Sequence, residues 1–303
     1  MGGRRERAWS WAVVVLLVAG TGVAYRLLLG PEPGRGPPAA PDPAQVRLTV
    51  TLATGEVTVV RAGVRTRLVP GAELRPDDAL ETAPGARVAL AGGTYEVTLE
   101  EGGRFDVQEI TAELSRFRLA AGLVSANVQD DPGRAVEIRG SADTVARITG
   151  GEMAVARSGE VVAVGVQRGT AEFSSAGEAV VLKRGEQSLA VAGKRPSPPE
   201  PIPASLLLKV SWPTERATNQ RRIVVTGRTV PGAVVVLGEE RVVVQPDGRF
   251  THVVVLREGR QRLSARAHGV GGSAQAEGPA ILLDTRAPDA RFDTRDLWVQ
   301  PRK

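Results

Sequence analysis

The chain of 303 residues has no cysteine, only two histidines and two methionines, and few aromatic side chains (4%). Without cysteine there is no disulfide framework, no thiolate nucleophile, no Cys-ligated zinc and no lipid attached through a thiol. Few aromatics mean that any core is built mainly from Val, Leu, Ala and Ile, which the 42% hydrophobic content can supply. GxSxG, HExxH and GxxxxGK[ST] are all missing. His252 and His268 fall inside expected strands with no second ligand close in sequence, so both read as surface strand positions. The glycines of His268 to Gly272 (HGVGG) join two strands instead of opening a helix, and so read as a loop. No catalytic residue, cofactor-binding residue or metal ligand is therefore assigned, no cofactor is expected, and the chain does not read as an enzyme.

A basic face is also lacking, although the sequence pI is about 10.2. Arg4, Arg5, Arg7 and Arg26 against Glu6 hold +3 of the net +5 within residues 1–30, which leaves only +2 beyond. No basic run interleaves with aromatics, so nucleic acid is not an expected partner.

What is present begins at the N-terminus. Three arginines precede an uncharged run, Ala8 to Tyr25, followed by Arg26 and three leucines. At about 1.5 Å per residue the run spans roughly 27 Å as a helix, enough to cross a bilayer if Arg26 reaches the headgroups. The basic flank orients such a segment with its N-terminus in the cytoplasm. The expected division is a cytoplasmic N-terminus (1–7), a transmembrane signal-anchor (8–29) in the inner membrane, and everything beyond in the periplasm. Trp9 and Trp11 stand where indoles favour the membrane interface or pack within the helix. The alternative is a signal peptide cleaved near Ala24, with Gly22 and Ala24 as the small residues before the cut.

Two proline-rich stretches, 30–44 and 194–204, divide the remainder. Both favour extended spacers. Between them, residues 45–193 read almost wholly as short strands of period two punctuated by glycine, in the manner of an all-β sandwich, roll or solenoid-like stack. Strands are expected to stop at Gly103, Gly122, Gly159 and Gly169, with breaks near Gly150 and Gly151; Phe105 to Leu114 is the one weak helix candidate. Residues 205–286 alternate across four or five further strands, with tight turns at Pro231–Gly232 and Pro246–Asp247–Gly248. A charged tail, 287–303, follows.

The first segment resembles the extracytoplasmic FecR domain over roughly 140 residues. The resemblance is carried, in order, by Gly55, Val57, Val59, Gly71, Leu74, Leu80, Thr82, Gly85, Leu90, Gly93, Gly122, Val124, Gly150, Val155, Val164, Gly169 and Gly185. It departs at Gly92, where the family usually has an acidic residue or Asn. Regulators of that family carry a sizeable cytoplasmic domain that grips a sigma factor; here about seven residues precede the apolar run, so direct sigma-factor control is not implied. The second segment is similar to bacterial immunoglobulin-like modules through Gly227, Pro231, Gly232, Val234, Asp247, Gly248, Phe250, Val254, Leu256, Glu258, Gly259, Leu263, Ala265 and Ala267. Together the resemblances imply a FecR-like β-roll followed by an Ig-like β-sandwich.

Acidic pairs Asp77/Asp78, Glu100/Glu101, Asp130/Asp131 and Glu239/Glu240 each lie beside turn residues and read as solvated hairpin ends, not as hydrolase carboxylates. Asp284, Asp289, Asp293 and Asp296 are interspersed with Arg286, Arg291 and Arg295, which oppose a calcium ion. Trp298 reads as docking on its own domain. The expected function is a membrane-anchored, non-catalytic binding or scaffolding component of the cell envelope, its partner an envelope protein or cell-wall glycan. The alternative is a sensor subunit that signals through a membrane partner.

Overall fold

The computed structural model describes residues 46–286 except 132 and 142. The expected signal-anchor with Trp9 and Trp11, the first proline-rich stretch, and the tail with Asp289, Asp293, Asp296 and Trp298 lie outside the described residues. Every regular element among the described residues is a strand, and no helix there is long and apolar enough to cross a membrane.

The first body is one sheet of 15 strands. In chain order these are β1 (Leu48–Thr54), β2 (Val57–Arg61), β3 (Val64–Arg67), β4 (Glu73–Leu74), β5 (Ala79–Thr82), β6 (Arg87–Ala91), β7 (Tyr95–Leu99) and β8 (Arg104–Ile110). They continue as β9 (Leu114–Val128), β10 (Ala135–Arg139), β11 (Val145–Ser158), β12 (Val161–Ser175), β13 (Glu178–Lys183), β14 (Glu186–Val191) and β15 (Glu200–Pro201). The weak helix candidate is thus strand: Val107 and Ile110 are β-branched, and alternation buries Phe105 and Val107 on one face.

Three long strands let this sheet fold over on itself. The first half of β9 pairs with β8 and, in parallel, with β10; its second half moves on to β7 and β11. Strand β11 does the same, pairing β10 through Val145–Ile148 and β9 through Gly151–Arg157, with a register shift between. Gly122 (φ 109) and Gly151 (φ 112) sit at these crossings. A Cβ on Gly122 would lie 2.5 Å from the Gly103 Cα. Positive φ and that approach both demand glycine. The glycines read in the sequence as strand ends at 122 and 150–151 are therefore bends within continuous strands. A bulge glycine and a turn glycine look alike in a sequence, because both are selected for the same φ.

The fold closes over a core that concentrates the few aromatics. Phe105 and Phe117 stack at 4.9 Å between centroids, and Tyr95 meets Phe117 edge-on at 6.1 Å. Val57, Leu74, Leu80, Leu90, Val124, Val155 and Val164 complete the same core.

The second body comprises β16 (Leu208–Ser211), β17 (Ala217–Thr218), β18 (Arg222–Thr229), β19 (Val234–Leu237), β20 (Glu240–Val242), β21 (Arg249–Val255), β22 (Gly259–Gly269) and β23 (Gly272–Leu283). These form a three-stranded sheet, β16-β18-β21, and a five-stranded sheet, β17-β23-β22-β19-β20. One core joins them: Val225 and Phe250 from the smaller sheet meet Val235, Leu263, Ala265, Ala267 and Ile281 from the larger. Phe250 lies over Gly227, where any side chain would collide with its ring. The turns at Pro231–Gly232 and Pro246–Asp247–Gly248 both form. Each leads from one sheet to the other, so they are corners of a sandwich and not hairpin tips.

The second proline-rich stretch is extended, as its composition requires, but it does not hang free. Ser197 N–H donates to Leu189 O at 2.8 Å, Ile202 N–H donates to Gly185 O at 2.8 Å, and Glu200–Pro201 pairs with β14. Both bodies belong to one compact unit.

Candidate functional site

The most organised polar constellation is centred on Glu101, in the turn between β7 and β8. Its carboxylate accepts four hydrogen bonds. Arg266 of β22 donates from Nε to Oε1 and from Nη2 to Oε2, both at 2.7 Å. The Gly85 N–H donates to Oε2 at 2.6 Å, and His268 Nε2 lies 2.7 Å from Oε1. An ionised carboxylate only accepts, so the His268 Nε2 carries the hydrogen. The Glu101 side chain is 7% exposed. Burial pushes its carboxyl up, but the bonds from Arg266, Gly85 and His268 outweigh that and hold it below the usual carboxylate range. Strand alternation explains the donors: Arg266 and His268 are two apart on β22, so they share the face opposite Ala265 and Ala267.

Glu101 belongs to the first body and its side-chain donors to the second, so this is a clamp between them. Around it Arg241 Nη1 donates to Gly102 O at 2.8 Å, the Val244 N–H donates to Ser158 Oγ at 3.0 Å, and Gln167 Nε2 donates to Val270 O at 2.7 Å. Beside these polar contacts runs an apolar seam. Leu123, Ala154, Ala156 and Ala163 face Val234 and Val270. Small residues permit close approach: an added Cβ on Gly232 would lie 2.8 Å from the Ala163 Cβ. A cavity of about 140 Å³ remains in the seam, lined by residues including Leu189, Pro203, Leu206, Pro231 and Val270.

The acidic pairs divide in a way that their sequence context conceals. Asp77, Asp130, Glu239 and Glu240 are exposed. Asp78 and Glu101 are buried, which corrects their reading as solvated turn residues. Asp78 receives Arg61 Nε at 2.7 Å and Nη2 at 2.6 Å, and the Arg75 N–H at 2.8 Å. Burial raises the Asp78 carboxyl, and these donors more than reverse the effect. His268 likewise is not a plain surface position, because it completes the clamp. His252 does lie at the surface, paired with Glu240 at 2.7 Å in a groove of about 480 Å³ at one end of the sandwich. Arg257 and Gln261 line the same groove. The stretch His268–Gly272 is the β22–β23 hairpin, with Val270 at its tip in the seam.

Among the described residues no group of three or more His, Asp or Glu side chains could hold a metal ion. The clamp itself offers no chemistry. Its carboxylate is ionised and saturated with donors, so it is neither a nucleophile nor a base at hand. The signal that could have found the seam is a loss of alternation. Met153–Ala156 and Val161–Val166 are unbroken apolar runs buried on both faces, as strands covered on two sides must be.

No protein-family model matches this sequence, and no curated protein matches it either. Partial structural likeness exists to two crystal structures of a "putative anti-sigma factor" from Parabacteroides distasonis. One is 18% identical with a TM-score of 0.36, over 41% of this chain and 59% of that one. The other is 21% identical with a TM-score of 0.31, over 35% and 51% respectively. The chain thus spans little more than half the length of these structures, and likeness at this level carries no inference about activity.

Proposed function

We propose that this chain is a non-catalytic binding and scaffolding component of the cell envelope. Residues 8–29 hold it at the inner membrane, and a FecR-like roll and an Ig-like sandwich stand in the periplasm. The observation that carries this reading is the junction of the two bodies. A scaffold must keep its surfaces at fixed separation, and an apolar seam beside a four-donor carboxylate resists the hinge motion that separate domains ordinarily have. The partner is an envelope protein or the wall glycan. Crosslinking in cells together with sedimentation on purified cell wall tests this. Retention on the wall or one dominant envelope adduct is expected; a chain that stays alone at native abundance overturns the reading. A reporter active only in the periplasm, fused after Lys303, is expected to be active, and mass analysis of the N-terminus distinguishes the intact anchor from cleavage near Ala24.

The sensor reading is favoured by one feature. Residues that carry the FecR resemblance have coherent structural roles: Val57, Leu80 and Val124 are core, and Gly71, Gly85 and Gly185 have positive φ. A sensor would change envelope-stress transcription when deleted. A scaffold would leave transcription alone and mislocalise its partner.

A further inference from the structure

One face of the first body carries two neighbouring rows of charge that differ in their balance. In the first row Glu109, Arg116, Glu137 and Arg147 lie across β8, β9, β10 and β11. Arg116 reaches Glu109 at 2.6 Å and Glu137 at 2.9 Å, and Arg147 reaches Glu137 at 3.5 Å. Two positive and two negative charges cancel. The next row places Asp106, Arg118 and Arg139 across β8, β9 and β10, with Arg118 and Arg139 direct cross-strand partners. Like charges in that position are destabilising. Arg157 of β11 comes to the same place, donating to Leu119 O at 3.1 Å and to Gly140 O.

The three guanidinium groups, with Gln108 and Ser141, line a cavity of about 320 Å³. Carboxylates near them do not restore balance. Asp106 stands 4.0 Å from Arg118, at the limit of an ion pair, while Asp143 accepts from Ser141 Oγ at 2.7 Å and from the Gly193 N–H at 3.1 Å. Among the described residues neither Arg139 nor Arg157 has an acidic partner, and the buried Nε of Arg139 has no hydrogen-bond acceptor. Burial, with Arg118 adding to it, pushes the Arg157 guanidinium down from its ordinary value, as expected where positive charge lacks a counter-charge.

We propose that the cavity walled by Arg118, Arg139 and Arg157 binds a phosphate-class oxyanion, free or as the terminal group of a small ligand. The geometry selects the class. A carboxylate is planar and is satisfied by one arginine fork, whereas a tetrahedral dianion has three terminal oxygens to share among three forks and a hydroxyl. Such a ligand would supply the counter-charge that Arg139 and Arg157 lack and neutralise the cross-strand repulsion. This site is independent of the scaffold reading and stands or falls without it.

Calorimetric titration of the full chain at constant ionic strength, with inorganic phosphate and separately with glycerol 3-phosphate, tests the proposal. Saturable one-site binding is expected, stronger for phosphate if the free ion is the ligand and for the monoester if a terminal group is. Arg139→Gln and Arg118→Gln should each weaken it about tenfold or more, and Arg147→Gln in the balanced row should leave it unchanged. Without added anion, Arg139→Gln should melt no lower than the parent, because a repulsion has been removed. Absence of saturable binding by both probes would overturn the proposal. So would equal weakening by Arg147→Gln, which would mean diffuse attraction to the whole face, or binding that survives both Arg118→Gln and Arg139→Gln.

Discussion

The two β bodies close their cores by different means. The first bends long strands through glycines until one sheet faces itself, and it packs Phe105, Phe117, Phe173 and Tyr95 inside. The second sets two separate sheets face to face and buries a single phenylalanine, Phe250, over Gly227. All four phenylalanines among the described residues are fully buried, three of them in the first body. The sandwich has the thinner core and leans on the seam.

Breaking that asymmetry at its strongest point gives the largest effect. Phe117→Ala removes a ring stacked on Phe105 and should cost about 4 kcal/mol, read by denaturant unfolding; Phe250→Ala, with fewer aromatic neighbours, should cost less. An equal loss would mean that the two cores carry equal weight. The next test addresses the joint. Glu101→Ala leaves Arg266 half-buried without its counter-charge and should cost about 3 kcal/mol. Calorimetry should then resolve two transitions where the parent shows one, the sandwich melting first.

Acid should reproduce part of that loss. The Glu101 and Asp78 carboxyls both lie below their ordinary range in the folded chain. As pH falls through roughly 4, the unfolded chain therefore takes up protons before the folded one does. Their stabilisation is whole above about pH 5 and drains away as pH falls through the folded values. Melting temperature against pH should be flatter in a Glu101→Gln, Asp78→Asn variant; an unchanged slope would show that these two carboxyls do not govern acid unfolding. The smallest effect belongs to Arg262→Gln. Its pair with Glu277 at 3.4 Å is exposed on both sides, so the unfolding free energy read from denaturant titration should change by less than about 0.5 kcal/mol.

Much of the fold was legible because strand alternation is local. Val57 and Val59, or Val97 and Leu99, declare their face within a few residues. The acidic pairs were illegible for the opposite reason. Glu100 and Glu101 differ only in what meets them, and for Glu101 that is Arg266, 165 residues away. Arg118 and Arg139 likewise become neighbours only when β9 and β10 pair in parallel. The corner turns at Pro231–Gly232 and Pro246–Asp247–Gly248 were visible as turns, but which sheets they connect is settled by the packing of Val225 and Phe250 against Ala265 and Ala267.

The proline-bearing stretch along β14 has a consequence for how the molecule behaves in a crowd of its own copies. A bare sheet edge offers a row of donors and acceptors to any passing strand. Here the outer side of β14 is occupied by Glu200–Pro201 and by Ser197, and Pro196, Pro198, Pro199, Pro201 and Pro203 have no N–H to offer in turn. The segment that links the bodies is therefore also a selvedge, finishing that margin so that the sheet cannot be extended from it by a neighbouring chain.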